Sequence, residues 1–452
     1  MKIIIAGDGK VGATLTRQLA AEGNDLTLID SNQEVLASSV EQYDVLAVRG
    51  NCASMDILRE AGVLEAELLI AATSADEVNM LCCLTAHGIN PNLHTIARIR
   101  NPEYISQTYA MRDLFALSLV VNPEKQAAIE ISRLIKYPGF LKRDTFAKSR
   151  VEIVELRVEE GSRLCAVPLN GLSAAVHCQV LVCAVLRDGS AVAPDGSFVL
   201  QAGDRIFVTA DAENLSLLLR SLGIVTHRAK RVLLAGGGRV SYYLAQELLE
   251  RGIHTEIIEQ DPKRCQELAE LLPAVCVIQG DASSQNLLES EHMESFDTLV
   301  TLTGLDELNM IVSLYGKGRG VPQVITKLGR AENLRMLDGL RLGSMVCPKD
   351  LCCSTIVRYV RAMQNQQGAA ITVHSIADGQ AEAMEFLADS ATPHCGEPLR
   401  SIRLKPNVLL ACITHGSKTQ IPNGNSSFAP GDTLIVVTSG SRSIQRLGDI
   451  FQ

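Results

Sequence analysis

The feature that most constrains this chain of 452 residues is an internal repeat with a period of about 230 residues. Residues 3–30 return as residues 232–259, and the glycine turn of the first stretch overlays that of the second. Further matches follow in order: Gly50-Asn51 with Gly280-Asp281, Asp76-Glu77-x-Asn79-Met80 with Asp306-Glu307-x-Asn309-Met310, Val121-x-Pro123 with Val346-x-Pro348, Cys165 and Pro168 with Cys395 and Pro398, and Gly203-Asp204 with Gly431-Asp432. The repeat predicts a tandem duplication of one large two-lobe unit.

The first copy opens with the pattern of a nucleotide-binding strand, turn and helix. Residues 3–5 predict a buried strand, and Gly7, Gly9 and Gly12 then form G-x-G-x-x-G. In this pattern the first glycine permits a tight turn, the second lets the backbone approach a pyrophosphate, and the third lets the helix pack on the strand. Free N–H groups and the positive dipole end at the helix start favour phosphate. The alternative is a unit that kept the turn and lost the ligand.

An acid ends the second predicted strand in both copies. Asp30 follows Gly12 by 18 residues, near the spacing of a carboxylate that takes ribose hydroxyls. A 2′-phosphate would face Asp30, so an unphosphorylated ribose is favoured. In the second copy Glu259 keeps the carboxylate, but Ser241 replaces Gly12. This predicts a looser contact between helix and strand there and leaves nucleotide binding by the second copy open.

Composition and charge exclude several classes of protein. Apolar residues make up 46% and charged residues 21%, as in a soluble globular protein, and the length predicts two to four domains. The sequence has no run near 18 apolar residues and no signal-peptide apolar region before Gly7, so we expect a cytosolic protein. The net charge of −9 argues against nucleic acid and against anionic lipid.

The thirteen cysteines predict neither disulfides nor a metal site. Their odd number, the absence of C-x-x-C, and the adjacent pairs Cys82-Cys83 and Cys352-Cys353 on helical stretches fit small buried hydrophobes. His394-Cys395 has no second metal-spaced pair nearby, so no metal is expected.

Strands and helices alternate through the first part of each copy. In the first copy we predict strands near 45–48, 68–73, 95–100 and 119–121, with helices at 54–61 and 124–136. The continuous apolar strand 68–73 is typical of a parallel sheet that is covered on both faces. Asp76, Glu77 and Asn79 are interpreted as helix capping, with a functional role as the alternative. From Val151 onward, alternating strands and a turn at 194–196 predict a small β-rich lobe.

The predicted fold class is therefore α/β. It has two tandem Rossmann-like parallel-sheet domains, each followed by a small α+β lobe rich in β-structure. The expected boundaries are 1–140, 141–225, 229–365 and 366–452.

These motifs resemble a known family. G-x-G-x-V, a following G-[ND]-[AC] and T-x-x-D-E-x-N, present twice, resemble the RCK (KTN) domain. The double arrangement, the length and residues 133–139 (RLIKYPG) resemble regulatory subunits of Trk-type potassium uptake systems. The resemblance implies a protein peripheral on the inner face of the cell membrane that binds NAD(H) and, in relatives, ATP or ADP. It also implies a homo-tetrameric ring against a membrane potassium-transporting subunit of the TrkH/TrkG type.

Carried over by position, the resemblance implies two sets of nucleotide-binding residues. The first set is Gly7, Asp8, Gly9, Lys10, Val11, Gly12, Asp30, Asn51, Cys52, Thr73, Ser74 and Arg98. The second set is Gly236, Gly237, Gly238, Arg239, Val240, Glu259, Asp281, Thr303 and Lys327. Three alternatives stay open: solvent exposure for Lys10 and Arg239, an interface salt bridge for Arg98, and a plain turn for Asn51 and Cys52.

The rival function is an NAD-dependent dehydrogenase with a duplicated Rossmann lobe. Such an enzyme needs an acid–base group within reach of the reacting carbon. The only histidines between the two Rossmann lobes are His177, in an apolar stretch, and His227, in a polar linker. We therefore predict a regulator with no catalytic residues. A purely structural scaffold would not need Asp30 and Glu259 at the ribose position in both halves.

The helix predicted at 124–136 carries Ala128, Ile131 and Ile135 along one stripe. We expect this stripe either to be covered by the chain's own β-rich lobe or to pair with another lobe, within the chain or between chains.

Overall fold

A computed structural model describes residues 1–136, 140–147, 150–223, 229–329, 342–364, 370–416, 418–439, 444 and 446–452. The polar linker with His227, and residues 137–139 of the RLIKYPG segment, lie outside these ranges. The chain divides into two compact units. The first comprises Met1–Ile129, Gly238–Glu247 and Cys347–Val360, and the second comprises Glu130–Gly237, Leu248–Val346 and Arg361–Gln452. Within the described ranges, the helices are all too short or too polar to cross a bilayer.

The first unit is built on a parallel sheet. Its strands are β1 (Lys2–Ala6), β2 (Asp25–Asp30), β3 (Leu46–Arg49), β4 (Leu68–Ala71), β5 (His94–Arg98) and β6 (Leu119–Val121). They lie in the order β3-β2-β1-β4-β5-β6, so the order reverses between β1 and β4. Because ligands of open α/β sheets bind at the carboxyl ends of the strands beside this reversal, the turn after β1 lies at the expected ligand position.

Helices cover both faces of this sheet. They are α1 (Lys10–Ala21), α2 (Gln33–Gln42), α3 (Met55–Glu60), α4 (Asp76–Ile89), α5 (Pro102–Ala110) and α6 (Pro123–Lys136), the last of which continues into the second unit. Side chains of Asn32 and Asn101 cap α2 and α5 by accepting hydrogen bonds from backbone N–H groups. Gly9 begins α1 with no side chain, which leaves the first-turn N–H groups of α1 open to a ligand.

The second unit contains an antiparallel sheet that follows α6. Its strands are β7 (Lys142–Phe146), β8 (Val151–Arg157), β9 (Leu181–Arg187), β10 (Ser190–Val192) and β11 (Arg205–Ala210), in the order β10-β9-β11-β8-β7, with helices α7 (Leu172–Val176) and α8 (Ala212–Ser221). The apolar residues of β8, β9 and β11 alternate between two cores, which is why the sequence pattern has a period of two.

The same two architectures recur in the second repeat. The parallel sheet has the order β14-β13-β12-β15-β16-β17, from β12 (Arg231–Ala235), β13 (His254–Glu259), β14 (Cys276–Gln279), β15 (Thr298–Thr301), β16 (Gln323–Lys327) and β17 (Ser344–Val346). Its helices are α9 (Arg239–Glu250), α10 (Pro262–Leu271), α11 (Gln285–Ser290), α12 (Asp306–Gly318) and α13 (Pro348–Gln364). The antiparallel sheet has the order β18-β19-β22-β20-β21, from β18 (Thr372–Ile376), β19 (Ala381–Leu387), β20 (Val408–His415), β21 (Lys418–Gln420) and β22 (Thr433–Ser439). The predicted fold class is confirmed in both halves.

The two antiparallel sheets share a hydrophobic core inside the second unit. Phe207 and Val437, from β11 and β22, belong to this one cluster. At its edge Asp144 of β7 and His374 of β18 occupy equivalent positions, one repeat apart, with 3.1 Å between Asp144 Oδ1 and His374 Nδ1. Burial opposes ionisation of Asp144, but Lys142 and His374 outweigh it and lower the pKa of Asp144 to about 2. A carboxylate paired with an imidazole therefore lies at the edge of this shared core.

The apolar stripe of α6 is covered within the chain. Ala128, Ile131 and Ile135 are all buried. In the second unit, Gln323 Nε2 of β16 donates to the carbonyl of Leu134 at 2.8 Å. The second repeat therefore supplies a contact to this helix.

Candidate nucleotide-binding sites

The first glycine turn is fixed by close backbone approaches. Gly7 has φ +94°, and a Cβ there would lie 2.8 Å from the Cα of Thr73. A Cβ on Gly12 would lie 2.0 Å from the carbonyl oxygen of Gly7, so the close packing predicted for Gly12 is present. A Cβ on Gly9 would meet no atom within 4 Å. The turn is therefore tight on the protein side and open on the side where a pyrophosphate is predicted.

Asp30 is held in place by two backbone N–H groups. Its Oδ2 accepts from Asp8 N at 2.8 Å, and its Oδ1 accepts from Asn32 N at 2.9 Å. The carboxylate therefore links the glycine turn to the start of α2. Because these bonds fix its position, a hydroxyl acceptor at the end of β2 is already oriented before any ligand arrives.

Asp8 places a second carboxyl group in the same turn. Its side chain is 1% exposed, and Ser39 Oγ of α2 donates to Asp8 Oδ2 at 2.6 Å. Burial raises the pKa of Asp8, and the nearby Asp30 adds to this effect. Asp8 Oδ1 is buried with no hydrogen-bond partner among the described residues. Ser39 was not predicted from the sequence as part of this site.

The loop between β4 and α4 carries Thr73 and Ser74, and two arginines hold it. Arg98 Nη2 donates to the carbonyl of Thr73 at 2.6 Å, and the Arg100 guanidinium donates to the carbonyl of Ser74. Burial lowers the pKa of Arg98, and the neighbouring Arg100 lowers it further. The contact described for the Arg98 guanidinium is thus to a backbone carbonyl, and its phosphate contact stays a prediction. Arg100 was missed because only the fold brings it to this loop.

Asp76 and Asn79 brace loops, so the prediction that they cap α4 is wrong. Ala75 is the N-cap of α4 and makes no side-chain cap bond. Asp76 Oδ2 accepts from the N–H groups of Arg100 and Asn101, at 2.8 and 2.7 Å. Asn79 Oδ1 accepts from Thr73 N at 2.8 Å, while its Nδ2 donates to the Arg98 carbonyl at 2.8 Å. Both side chains turn away from their own helix because neighbouring loops offer backbone partners.

Glu77 has a partner on a different helix. Its Oε1 accepts from the hydroxyl of Tyr104 on α5 at 2.8 Å. Glu77 also lies in the first turn of α4, where a hydrogen bond to its own backbone N–H lowers the pKa of its carboxyl group.

The remaining residues of the first set differ in accessibility. Asn51 Oδ1 accepts from Ala53 N at 3.0 Å, which is a local turn. Cys52 is buried in the core of the sheet, where a hydrogen bond with Cys82 lowers the pKa of Cys52. Lys10 is exposed at the start of α1, and Val11 is buried. The Asn51 side chain thus makes a local turn bond, and contact of Asn51 and Cys52 with a nucleotide stays a prediction.

Two helices of the second repeat contact the first site inside the first unit. Cys353 Sγ of α13 lies 3.7 Å from the carbonyl of Val11, at the start of α1. Tyr243 of α9 donates to the Arg100 carbonyl at 3.2 Å and accepts from Asn122 Nδ2 at 3.1 Å. The backbone that carries the two arginines is thus supported by the second repeat.

The second glycine turn has the same backbone and the same carboxylate contacts. Gly236 has φ +110°, and a Cβ there would lie 2.9 Å from the carbonyl carbon of Leu302. Glu259 Oε2 accepts from Gly237 N at 2.7 Å, and Glu259 Oε1 accepts from Asp261 N at 2.8 Å. Ser241, in the place of Gly12, is fully buried.

The side chains that pack around the second turn differ from those around the first. A Cβ on Gly237 would lie 2.7 Å from Leu268 Cδ1 and 2.9 Å from Glu259 Cβ. Arg264 Nε of α10 donates to the Gly237 carbonyl at 2.9 Å. Gly237 therefore has no room for the side chain that Asp8 has in the first turn.

The other residues of the second set make side-chain hydrogen bonds to loop backbone groups, as their equivalents in the first set do. Asn309 Oδ1 accepts from Thr303 N at 2.8 Å, and Lys327 Nζ donates to the carbonyl of Leu302 at 3.2 Å. Asp281 Oδ1 accepts from Ser283 N at 2.8 Å, again in a local turn. Gly238 and Arg239 are exposed, and Val240 is buried.

His394 and the cysteines do not form a metal centre in the part of the chain that the structure describes. No group of three or more potential ligands comes together there. His394 Nδ1 lies 3.2 Å from Glu397 Oε2, and all thirteen cysteines are free thiols.

The fold and the two turns define a class of protein. A parallel sheet with a glycine turn at its order reversal, and an acid bound to that turn, is present in both halves. The molecule is a tandem Rossmann-type protein with two candidate nucleotide sites.

Comparison with known proteins then gives the family. The family model described as the TrkA-N domain matches residues 3–123 and 232–348, and the TrkA-C domain model matches residues 153–223. The Trk system potassium uptake protein TrkA of Haemophilus influenzae is 31% identical, with 100% of this chain and 99% of the relative covered. TrkA homolog 1 of Methanosarcina mazei is 30% identical, with 98% of each chain covered. The chain belongs to the TrkA family, which confirms the resemblance drawn from its motifs.

Solved structures show the same fold. The GsuK RCK domain has a TM-score of 0.62 at 17% identity and covers 97% of this chain and 92% of its own. The GsuK channel bound to NAD has a TM-score of 0.61, also at 17% identity, and covers 97% of this chain and 76% of its own. At this identity the likeness establishes the fold alone.

Proposed function

We propose that this protein is the cytosolic, nucleotide-binding regulatory subunit of a Trk-type potassium uptake transporter. The observation that carries the proposal is the pair of glycine turns, each bound to a strand-end carboxylate, in a chain of the TrkA family. The proposed ligand is NAD(H), with ATP or ADP as competing nucleotides. GsuK, which shares this fold at low sequence identity, is solved bound to NAD and bound to ADP.

The residues of the first turn fit such a ligand. The open face of Gly9 and the uncapped start of α1 offer N–H groups for phosphate oxygens. The oriented carboxylate of Asp30 suits ribose hydroxyls. A bound nucleotide would supply the phosphate charge and the hydroxyl donors that these groups recognise. We retain both predicted sets of binding residues as parts of this proposal.

The proposed mechanism is a shift between two arrangements of the lobes. Arg98 and Arg100 hold the loop that leads into α4, so a change at Arg98 is transmitted to Thr73 and to that helix. A ligand shifts the equilibrium only by its difference in affinity for the two arrangements. A shift from 1:99 to 99:1 needs about 5.5 kcal/mol, which four equivalent sites supply with about 1.4 kcal/mol each.

We also propose a homo-tetrameric ring. Leu81 and Leu84 of α4 are 52% and 40% exposed, and their equivalents Ile311 and Leu314 of α12 are 64% and 37% exposed. The same apolar stripe therefore lies at equivalent positions of both repeats. Like surfaces that pair with one another favour closed assemblies, and the proposed occupant of each stripe is a second copy of this chain.

Light scattering tests the ring. We expect a mass four times the chain mass of 48.8 kDa in the absence of detergent. Leu81→Asp with Ile311→Asp should reduce it, whereas Leu387→Asp, at another exposed leucine, should not. A wild-type monomer under all nucleotide conditions would refute the assembly. Co-purification with a TrkH/TrkG-type membrane subunit tests the peripheral location on the inner membrane face.

A calorimetric and thermal-shift panel of NAD⁺, NADH, ATP, ADP and cyclic dinucleotides tests the binding function. NAD(H) should bind the wild-type chain, and Asp30→Ala should weaken the first site. If none of the nucleotides binds, the proposed function is wrong.

We propose that the protein is not an enzyme. Purified protein with NADH and carbonyl substrates should show no substrate-dependent loss of NADH absorbance. Oxidation that persists through repurification would favour the dehydrogenase instead. The four-lobe division at 1–140, 141–225, 229–365 and 366–452 remains part of the proposal, and limited proteolysis tests it.

A further inference from the structure

The two turns present opposite charge beside the ribose-binding acid. At an offset of 229, Asp8 corresponds to Gly237 and Val35 corresponds to Arg264. The first turn therefore has two carboxyl groups, Asp8 and Asp30, within one hydrogen-bonded set. The second turn has one carboxylate, Glu259, and a guanidinium.

Arg264 is held over the second glycine turn by its Nε, which donates to the Gly237 carbonyl at 2.9 Å. The N–H group of the same glycine donates to Glu259 Oε2 at 2.7 Å. A cation and the ribose acid therefore contact the carbonyl and the N–H group of the same residue, Gly237, in two successive peptide groups. Both oxygens of Glu259 accept backbone hydrogen bonds, as those of Asp30 do, so the two sites differ in the guanidinium and not in the acid.

Arg264 also forms an ion pair with Glu267 of the same helix. Its Nη1 lies 2.9 Å from Glu267 Oε2, and the side chain of Glu267 is 61% exposed. Exposed ion pairs within one helix stabilise little because water screens them. A planar guanidinium binds phosphate through two parallel hydrogen bonds, so a phosphate at this edge would be a stronger partner than Glu267.

We infer that the second Rossmann lobe accepts an adenine dinucleotide whose ribose carries a 2′-phosphate, and that Arg264 determines this specificity. The inference rests on the proposed function of nucleotide binding. Rossmann sites that take a 2′-phosphate place an arginine near it, whereas an unopposed acid excludes it. The first lobe, with Asp8 and Asp30, rejects the same ligand.

Calorimetric titration of the full-length chain with NADH and NADPH tests the inference. In the Asp30→Ala variant, NADPH should bind as it does to the wild type. Arg264→Gln should weaken NADPH by about tenfold and NADH by less than about twofold, since it removes one charge-assisted phosphate contact. Lys263→Gln is the matched control, because it removes the same charge from an exposed neighbour on α10. It should change neither affinity.

The outcomes separate this inference from the proposed function. Binding of NADH without NADPH overturns the inference and leaves the proposed function standing. NADPH binding that is lost in Asp30→Ala, or that Arg264→Gln and Lys263→Gln weaken equally, also overturns it. If neither dinucleotide binds, the inference falls, and the proposed function falls with it only when ATP and ADP do not bind either. The ratio of the two affinities, measured in the Asp30→Ala background so that both dinucleotides report on the second lobe, is the deciding readout, because a purely structural role of Arg264 would there change both together.

Discussion

The two glycine turns share one backbone conformation, but different side chains pack behind them. In the first turn the space behind the loop holds the polar pair of Asp8 and Ser39, which are hydrogen-bonded at 2.6 Å. In the second turn the equivalent positions are Gly237 and Leu268, where a leucine methyl fills the space that the aspartate would need. The bond from the turn N–H to the strand-end carboxylate is unchanged. The positive-φ glycine and this bond thus maintain the backbone in both turns. The two side chains behind the turn differ together, as Asp8 with Ser39 in the first and Gly237 with Leu268 in the second.

The largest effect is expected where the turns differ in the third glycine. Gly12→Ser should lower the free energy of unfolding by about 3 kcal/mol, because its Cβ would meet the Gly7 carbonyl at 2.0 Å. Gly12→Val should lower the free energy of unfolding further than Gly12→Ser does. Ser241→Gly, the reciprocal change, should cost only about 1 kcal/mol, the helix cost of glycine. Urea unfolding followed by circular dichroism measures both. Equal costs would show that the two turns pack alike.

Replacing the residues behind the second turn with those of the first should have the next largest effect on stability. Gly237→Asp should destabilise by about 2 kcal/mol, since the new side chain overlaps Leu268 and Glu259. Adding Leu268→Ser should recover about 1 kcal/mol, because it recreates the polar pair of the first turn. A double-mutant cycle from unfolding curves gives the coupling. Strict additivity would mean that the two positions are independent.

Removal of the acid should affect ligand binding more than fold. Asp30→Ala should weaken NAD(H) binding to the first site by about 1.5–3 kcal/mol, the range for a charge-assisted hydrogen bond. Some stability should also be lost, because Asp8 N and Asn32 N lose their acceptor. Calorimetry on Asp30→Ala and on Glu259→Ala, which should spare the first site, measures this. Unchanged affinity in Asp30→Ala would remove the ribose role from Asp30.

The smallest effect concerns pH. Burial raises the pKa of Asp8, so the folded chain holds this proton at a higher pH than the unfolded chain. The folded state then binds more protons in the window just above the ordinary range of an aspartate, and stability falls as pH rises through it. Asp8→Asn should remove that part of the pH dependence. Gly237 has no such group, so Gly237→Ala cannot reproduce the change in slope. An unaltered slope in Asp8→Asn would refute the assignment.

The fold was predictable because the signals it needed can be recognised in the sequence without knowing which residues touch in space. The glycine spacing, the continuous apolar strands and the repeat at about 230 residues together gave the two parallel sheets, and the alternation after Val151 gave the antiparallel ones. The turn geometry of Gly7 and Gly12 followed from the same motif.

The site's supporting contacts were not predictable in the same way. Ser39 contacts Asp8 from 31 positions away, and Arg100 contacts Ser74 from 26 positions away. Asp76 was misread because its partners, the N–H groups after β5, become neighbours only when the sheet forms. One signal was present in the sequence: Asp8 and Ser39 both differ from their equivalents in the second copy, as packed neighbours do when they change together.

The contact between the two antiparallel sheets has a consequence for which lobes can pair at this position. Asp144 and His374 hold the same position in the two repeats, yet they pair as an acid and a base. A contact between two first halves would set carboxylate against carboxylate, and one between two second halves would set imidazole against imidazole. Only a first half with a second half makes the favourable pair. If the two repeats were identical, this position would face a copy of itself. Because the first repeat carries Asp144 and the second carries His374, the position instead favours pairing of a first repeat with a second repeat.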